Sequence, residues 1–87
     1  MRIIKKKIWP EYFDLVKSGK KKFEVRLADF DIEKGDILLL QEWDSDTKEY
    51  TGREIEVKPN YIIKFSLDRF GQGEEIKEKG LYIIQFE

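Results

Sequence analysis

Lys21, Glu24 and Arg26 lie in one short stretch and have the types and spacing to grip an anion or a polar heterocycle. A lysine offers a point charge, an arginine a planar fork of donors, and a carboxylate an acceptor for an amino group. Residues two apart on an extended strand project the same way, so Glu24 and Arg26 point together, roughly 6–7 Å apart along the backbone. Lys22 shares their parity and adds a third charge to that face. Lys21 has the opposite parity and joins them only from a turn after Gly19 or from a bulge. Trp9, beside a helix start, and Trp43, at a strand end, are the preferred exposed rings for stacking. Tyr50, Tyr61 and Tyr82 are further aromatic candidates, although in so small a domain such rings more often serve the core. The simplest alternative for the charged residues is a solvated strand face held by a surface salt bridge.

The elements that position these groups follow from pattern. Arg2 to Ile8 reads as an opening strand, and Trp9-Pro10 turns the chain into a helix, with proline where a missing N–H costs nothing. That helix runs to about Ser18, with Tyr12, Phe13, Val16 and Leu15 as its apolar stripe and Lys17 near its C-terminus. Gly19 suits the left-handed residue at which helices commonly end. From Lys22 to Leu27 the alternation places Phe23, Val25 and Leu27 on a packing face, with Lys22, Glu24 and Arg26 on a charged one. Ala28 to Lys34 is a polar connection, and Gly35-Asp36 leads into Ile37–Leu40, which reads as a central strand buried on both sides. Asp44 to Gly52 is expected to form a hairpin loop, and Arg53 to Val57 a strand. Pro59-Asn60 interrupts it, Tyr61 to Phe65 resumes extended structure, and Leu81 to Phe86 closes the chain. Gly71-Gln72-Gly73 reads as a mobile loop. Strands at this spacing predict a mainly β (α+β) domain, a small barrel of about five to six strands capped by one helix.

Composition narrows the chemistry. The 87 residues make one domain, residues 1–87, which buries roughly 60–65% of the surface of its unfolded chain. With no cysteine and no histidine, thiolate and imidazole chemistry are absent, and neither a metal nor a cofactor is expected. Any catalysis falls to Lys, carboxylates, hydroxyls, Tyr or Arg. No segment reaches the roughly 18 apolar residues of a membrane span, so the expectation is a cytoplasmic protein without an anchor, a monomer by default. Asp44-Ser45-Asp46-Thr47-Lys48 begins like a calcium loop, but Lys48 stands at a ligand position and Glu49 where glycine is required. Gly71-x-Gly73 lacks the third glycine of a dinucleotide fingerprint. The net charge of −1 hides an asymmetry: residues 1–26 hold nine basic and three acidic groups, a net +6, and the remainder carries −7. If the first strand lies near the Lys20–Arg26 strand, their cations form a patch for phosphates.

The pattern Gly19-x-Lys21-x-x-Glu24-x-Arg26 follows Trp9-Pro10-Glu11-Tyr12-Phe13 and precedes Gly35-Asp36-Ile37-Leu38-Leu39-Leu40-Gln41-Glu42-Trp43, Tyr50-Thr51-Gly52-Arg53 and Gly80-Leu81-Tyr82-Ile83-Ile84. In this order it resembles the ASCH domain of the PUA-like superfamily, especially a small prokaryotic branch of uncharacterised proteins. The resemblance covers nearly the whole chain. It implies a cleft between helix and barrel where Lys21, Glu24 and Arg26 meet RNA or a nucleotide-like ligand. There Lys21 and Arg26 would contact phosphate or a base edge, and Glu24 would accept from a base amino group. It also implies an alternative, since some ASCH-like proteins are amidohydrolases acting on N4-acetylcytidine and related nucleosides. Lys21 and Glu24 would then be the catalytic pair, with Glu24 standing where those enzymes carry threonine and acting as a general base toward water. The distant glutamate of that set is open among Glu54, Glu56, Glu74 and Glu75.

Overall fold

Proline at the first helical position and glycine one residue beyond the Ser18 C-cap bracket a short helix, α1 (Pro10–Lys17), in the computed structural model. The structure describes residues 1–65 and 79–87. The expected loop at Gly71–Gly73, and Glu74 and Glu75 with it, lie outside the described residues. Among the described residues six strands run in chain order: β1 (Ile3–Ile8), β2 (Phe23–Leu27), β3 (Ile37–Asp44), β4 (Glu49–Val57), β5 (Pro59–Phe65) and β6 (Leu81–Phe86).

The strands pair as two three-stranded sheets, β1-β3-β4 and β2-β6-β5. In the first, β1 runs parallel to β3 from Ile3↔Ile37 to Ile8↔Glu42, and β4 returns antiparallel. In the second, every pairing is antiparallel. Among the described residues the mainly β class is present with a strand number within the expected five to six, and the ladders form two sheets.

The core lies between the central strands. Leu38 and Leu40 of β3 and Tyr82, Ile84 and Phe86 of β6 are buried, joined by Ile8, by Phe13 and Val16 of α1, and by Ala28 and Ile32. The Tyr82 hydroxyl is satisfied by donating to the Phe30 carbonyl oxygen at 2.8 Å, and burial pushes its phenol above the ordinary value.

Three expectations change on folding. Tyr12 and Leu15 lie on the exposed side of α1, because an eight-residue helix on this core buries only the Phe13–Val16 edge. Strand β3 is fully buried on the face of Leu38, Leu40 and Glu42 and half-covered on that of Ile37, Leu39 and Gln41. The hairpin loop is shorter than Asp44–Gly52. An Asp44 Oδ1 acceptor takes the Asp46 and Thr47 N–H groups, Lys48 adopts φ 57, and β4 begins at Glu49.

Parallel pairing of β1 and β3 starts from one carboxylate. The buried Asp36 accepts from the Arg2 N–H (3.1 Å), the Arg2 guanidinium (2.9 Å) and the Glu33 N–H (2.9 Å), while Ile37 N–H returns a bond to the Arg2 carbonyl at 2.8 Å. The Arg2 hydrogen bond and then that of Glu33 lower its pKa to about 2. In the unfolded chain the same carboxyl protonates near pH ~4, so its contribution to stability is complete above that pH and is lost as the pH falls toward about 2. Urea denaturation should show a falling midpoint across this window. Asp36→Asn should lower the midpoint at neutral pH and flatten that part of the pH dependence; an unchanged profile would show that Asp36 does not anchor the strand pair.

Candidate nucleotide-binding cleft

The end of α1 sets the site. Gly19 takes φ 81 and its N–H bonds the Val16 carbonyl at 3.1 Å, while the Lys21 N–H reaches back to the Leu15 carbonyl at 3.0 Å. Lys21 therefore belongs to the turn, ahead of β2, and its parity does not keep it from Glu24. Its ammonium donates to Glu24 Oε1 at 2.5 Å and to the Phe23 carbonyl at 2.7 Å. From the other side Arg26 Nε donates to Glu24 Oε2 at 2.7 Å, and an Arg26 terminal nitrogen donates to the Lys7 carbonyl at 2.5 Å. Both oxygens of the Glu24 carboxylate, which is only 5% exposed, are held by cations.

This reverses the expected faces of β2. Glu24 is inside, while Phe23 and Val25 are about half exposed. Alternation showed correctly that the two sets lie on opposite faces, and tertiary pairing chose which one turns inward. Glu24 stands opposite Ile84 and Arg26 opposite Tyr82, both buried residues of β6, so the row carrying the charges is the inner row. Two cations make that burial tolerable.

Around this ion triad lies an open cleft of about 590 Å³, the size of a small-molecule site. Lys21, Glu24 and Arg26 line it together with Trp9 and Tyr12, and Lys7, Phe23 and Val25 contribute to the lining. The Trp9 and Tyr12 rings are stacked with centroids 6.0 Å apart and planes 19° from parallel. The Lys21 ammonium lies 5.1 Å from the Phe23 ring centre and 5.8 Å from that of Tyr12. Lysine and arginine both retain N–H donors beyond those engaged with Glu24 and the backbone. The lining of the cleft thus combines aromatic rings with charged donors.

Of the expected site residues, Lys21, Glu24, Arg26 and Trp9 come together. Lys22 does not: it is exposed and outside the cleft walls, and its carbonyl accepts from the Phe86 N–H at 2.9 Å. A residue directly before β2 has its orientation fixed by that pairing and not by the charges nearby. Trp43 is half-buried instead of exposed and lies outside the cleft walls, with the Lys7 ammonium 4.5 Å from its ring centre. Glu54 and Glu56 are exposed on β4 away from the cleft, and Glu54 accepts from Gln41 at 2.6 Å. The basic segment is divided too. Arg2 binds Asp36, Lys6 lies 3.9 Å from Asp29, and of the opening strand's cations Lys7 lines the cleft.

A further buried carboxylate escaped sequence reasoning. Glu42 accepts from Thr51 at 2.6 Å and from Arg53 Nε at 2.9 Å, and a terminal nitrogen of Arg53 also bonds it. Arg53 continues to Asp14 of α1 at 3.2 Å and lies 4.5 Å from the Phe13 ring centre. The Arg53 hydrogen bond holds Glu42 below its ordinary pKa, and Glu42 in turn pushes Arg53 upward. The signal was available: Glu42 continues the buried period-two row of Leu38 and Leu40.

Helix, sheets and cleft define a small mainly β domain, and comparison with known proteins agrees. A family model described as a domain of unknown function, DUF3850, matches residues 3–77, and the chain belongs to that family. The fold is similar to the crystal structure of a hypothetical protein, PH0355, with a TM-score of 0.71, covering 100% of this chain and 98% of that one at 24% identity. That likeness speaks for the fold alone. An uncharacterised 12.9 kDa protein in the GpA 3′ region of Escherichia phage P2 is 42% identical over 60 residues, 69% of this chain and 53% of the phage protein. The match spans about half the length of that relative.

The triad geometry makes a direct prediction. Glu24→Gln keeps the shape but leaves two cations facing a neutral amide, so urea denaturation should show a loss of about 1–3 kcal/mol. A loss within experimental error would mean that Glu24 does not hold Lys21 and Arg26 in place.

Proposed function

We propose that this domain is an ASCH/PUA-like module that binds RNA or a nucleotide-like ligand in the cleft between α1 and β2. The observation that carries the reading is that the Lys21–Glu24–Arg26 triad and the stacked Trp9–Tyr12 pair line one cleft. A nucleobase has a π-face for the aromatic wall and polar edges for the donors, and a phosphate suits both cations. Lys21 acts as a point charge and Arg26 as a fork. Glu24 orients both, since its two oxygens are already engaged.

That engagement also favours binding over deacylation of an N4-acetylcytidine-type nucleoside. A general base must take a proton from water, whereas this carboxylate is buried and accepts from two cations.

The test is an amide-NMR titration with a short mixed-sequence single-stranded RNA at two salt concentrations, for the wild type and Arg26→Ala. Expected are salt-sensitive shifts clustered at Gly19–Arg26 and Trp9–Tyr12, with affinity weakened in the variant and the salt slope reduced by about one. An absence of shifts at millimolar RNA rules out the polymer ligand. Deacylation of N4-acetylcytidine that disappears in Lys21→Ala would replace binding with hydrolysis as the function.

A further inference from the structure

Trp9, the residue between β1 and α1, and Trp43 of β3 both follow the last pair of one ladder. The parallel pairing of β1 with β3 ends at Ile8↔Glu42, and each tryptophan is the next residue of its chain segment. Across the following ladder Trp43 pairs with Tyr50, just past a register shift between Gln41 and Trp43. Bulges of this kind re-aim side chains and are common beside functional sites. Tyr12 and Trp9 thus line the cleft, and Trp43 and Tyr50 pair on the β3–β4 ladder beyond it. Lys7 joins the two halves. Its carbonyl accepts from Arg26 at the cleft wall, and its ammonium lies 4.5 Å from the Trp43 ring centre and 5.7 Å from that of Tyr50.

We infer that the cleft is one end of a longer track for single-stranded nucleic acid, which passes Lys7 and ends on the Trp43–Tyr50 pair. The inference rests on the nucleotide-binding reading above and specifies that the ligand is an oligonucleotide. Non-specific single-strand sites combine cations that follow the phosphates with rings on which successive bases stack, and both occur along this line. The Lys7 ammonium beside Trp43 and Tyr50 is no obstacle. A cation–π contact at an exposed lysine is weaker than base–aromatic stacking, so an arriving base displaces the ammonium and frees it for the adjacent phosphate. Tyr50 is 54% exposed and Trp43 half-buried, so the pair has ring surface to offer.

A cross-strand aromatic pair also stabilises hairpins without binding anything, and the experiment separates the two roles. Calorimetric titrations compare uridine 5′-monophosphate with hexauridylate for the wild type, Tyr50→Ala and Tyr50→Phe. The expected result is hexauridylate binding at least about tenfold more tightly than the mononucleotide. Tyr50→Ala should weaken the hexanucleotide about fivefold to a hundredfold and leave the mononucleotide unchanged, while Tyr50→Phe keeps wild-type affinity. Mononucleotide binding with no gain from length, or hexanucleotide binding indifferent to Tyr50→Ala, overturns the track and leaves the cleft reading intact. Failure of both ligands to bind overturns the two together.

Discussion

A carboxylate withdrawn from water must be paired, and the arrangement of this domain around its cleft follows from meeting that condition at Glu24. The turn after α1 has to deliver Lys21, β2 has to present Arg26 two residues on, and Arg26 in turn ties β2 to the Lys7 carbonyl of β1. One acidic side chain thereby gathers the helix end and one strand of each sheet. With Glu24 and Arg26 turned inward, Phe23 and Val25 must face outward and give up part of the gain of burial. Full burial of such side chains is worth roughly 1.5–3 kcal/mol each, so the sacrifice is modest beside the several kcal/mol of an unpaired buried ion.

The same logic is repeated on the other sheet. Glu42 extends the buried row of β3 and is matched by Thr51 and Arg53 from β4. Arg53 then reaches Asp14 and covers Phe13, so α1 is fastened to the β3–β4 hairpin through one guanidinium. The helix is held at its C-terminal turn by the Glu24 cluster and along its flank by the Glu42 cluster. A helix of eight residues has little independent stability, and these two attachments, with the Phe13 and Val16 contacts, account for its fixed position beside the cleft.

Much of this could be read before folding was considered. Pro10 and Gly19 delimited α1, the run from Leu81 to Phe86 gave β6 with its observed bounds, and spacing marked Lys21, Glu24 and Arg26 as a polar constellation. The Trp9 ring at the helix start also falls on the cleft wall. Lys22 and Trp43 lie outside the cleft. Their surroundings depend on strands distant in sequence, β6 for the first and β1 for the second, and local parity carries no information about them. Tyr12 belongs by spacing to the apolar stripe of α1 and instead lines the cleft, because spacing shows which side chains share a face and not how wide a face the core can cover.

By itself the sequence determined the mainly β class, the ends of α1, most of the described strands and the chemical repertoire of the site. These follow from short-range physics: the fixed φ of proline, the freedom of glycine and the period of two along a strand. Tertiary structure alone decided which face of β2 turned inward and made Glu24 a buried hub instead of a surface charge. Alternation is symmetric between the two faces of a strand. Only the register with β6, where Glu24 meets Ile84 and Arg26 meets Tyr82, breaks that symmetry, and register is a property of strands far apart in the chain.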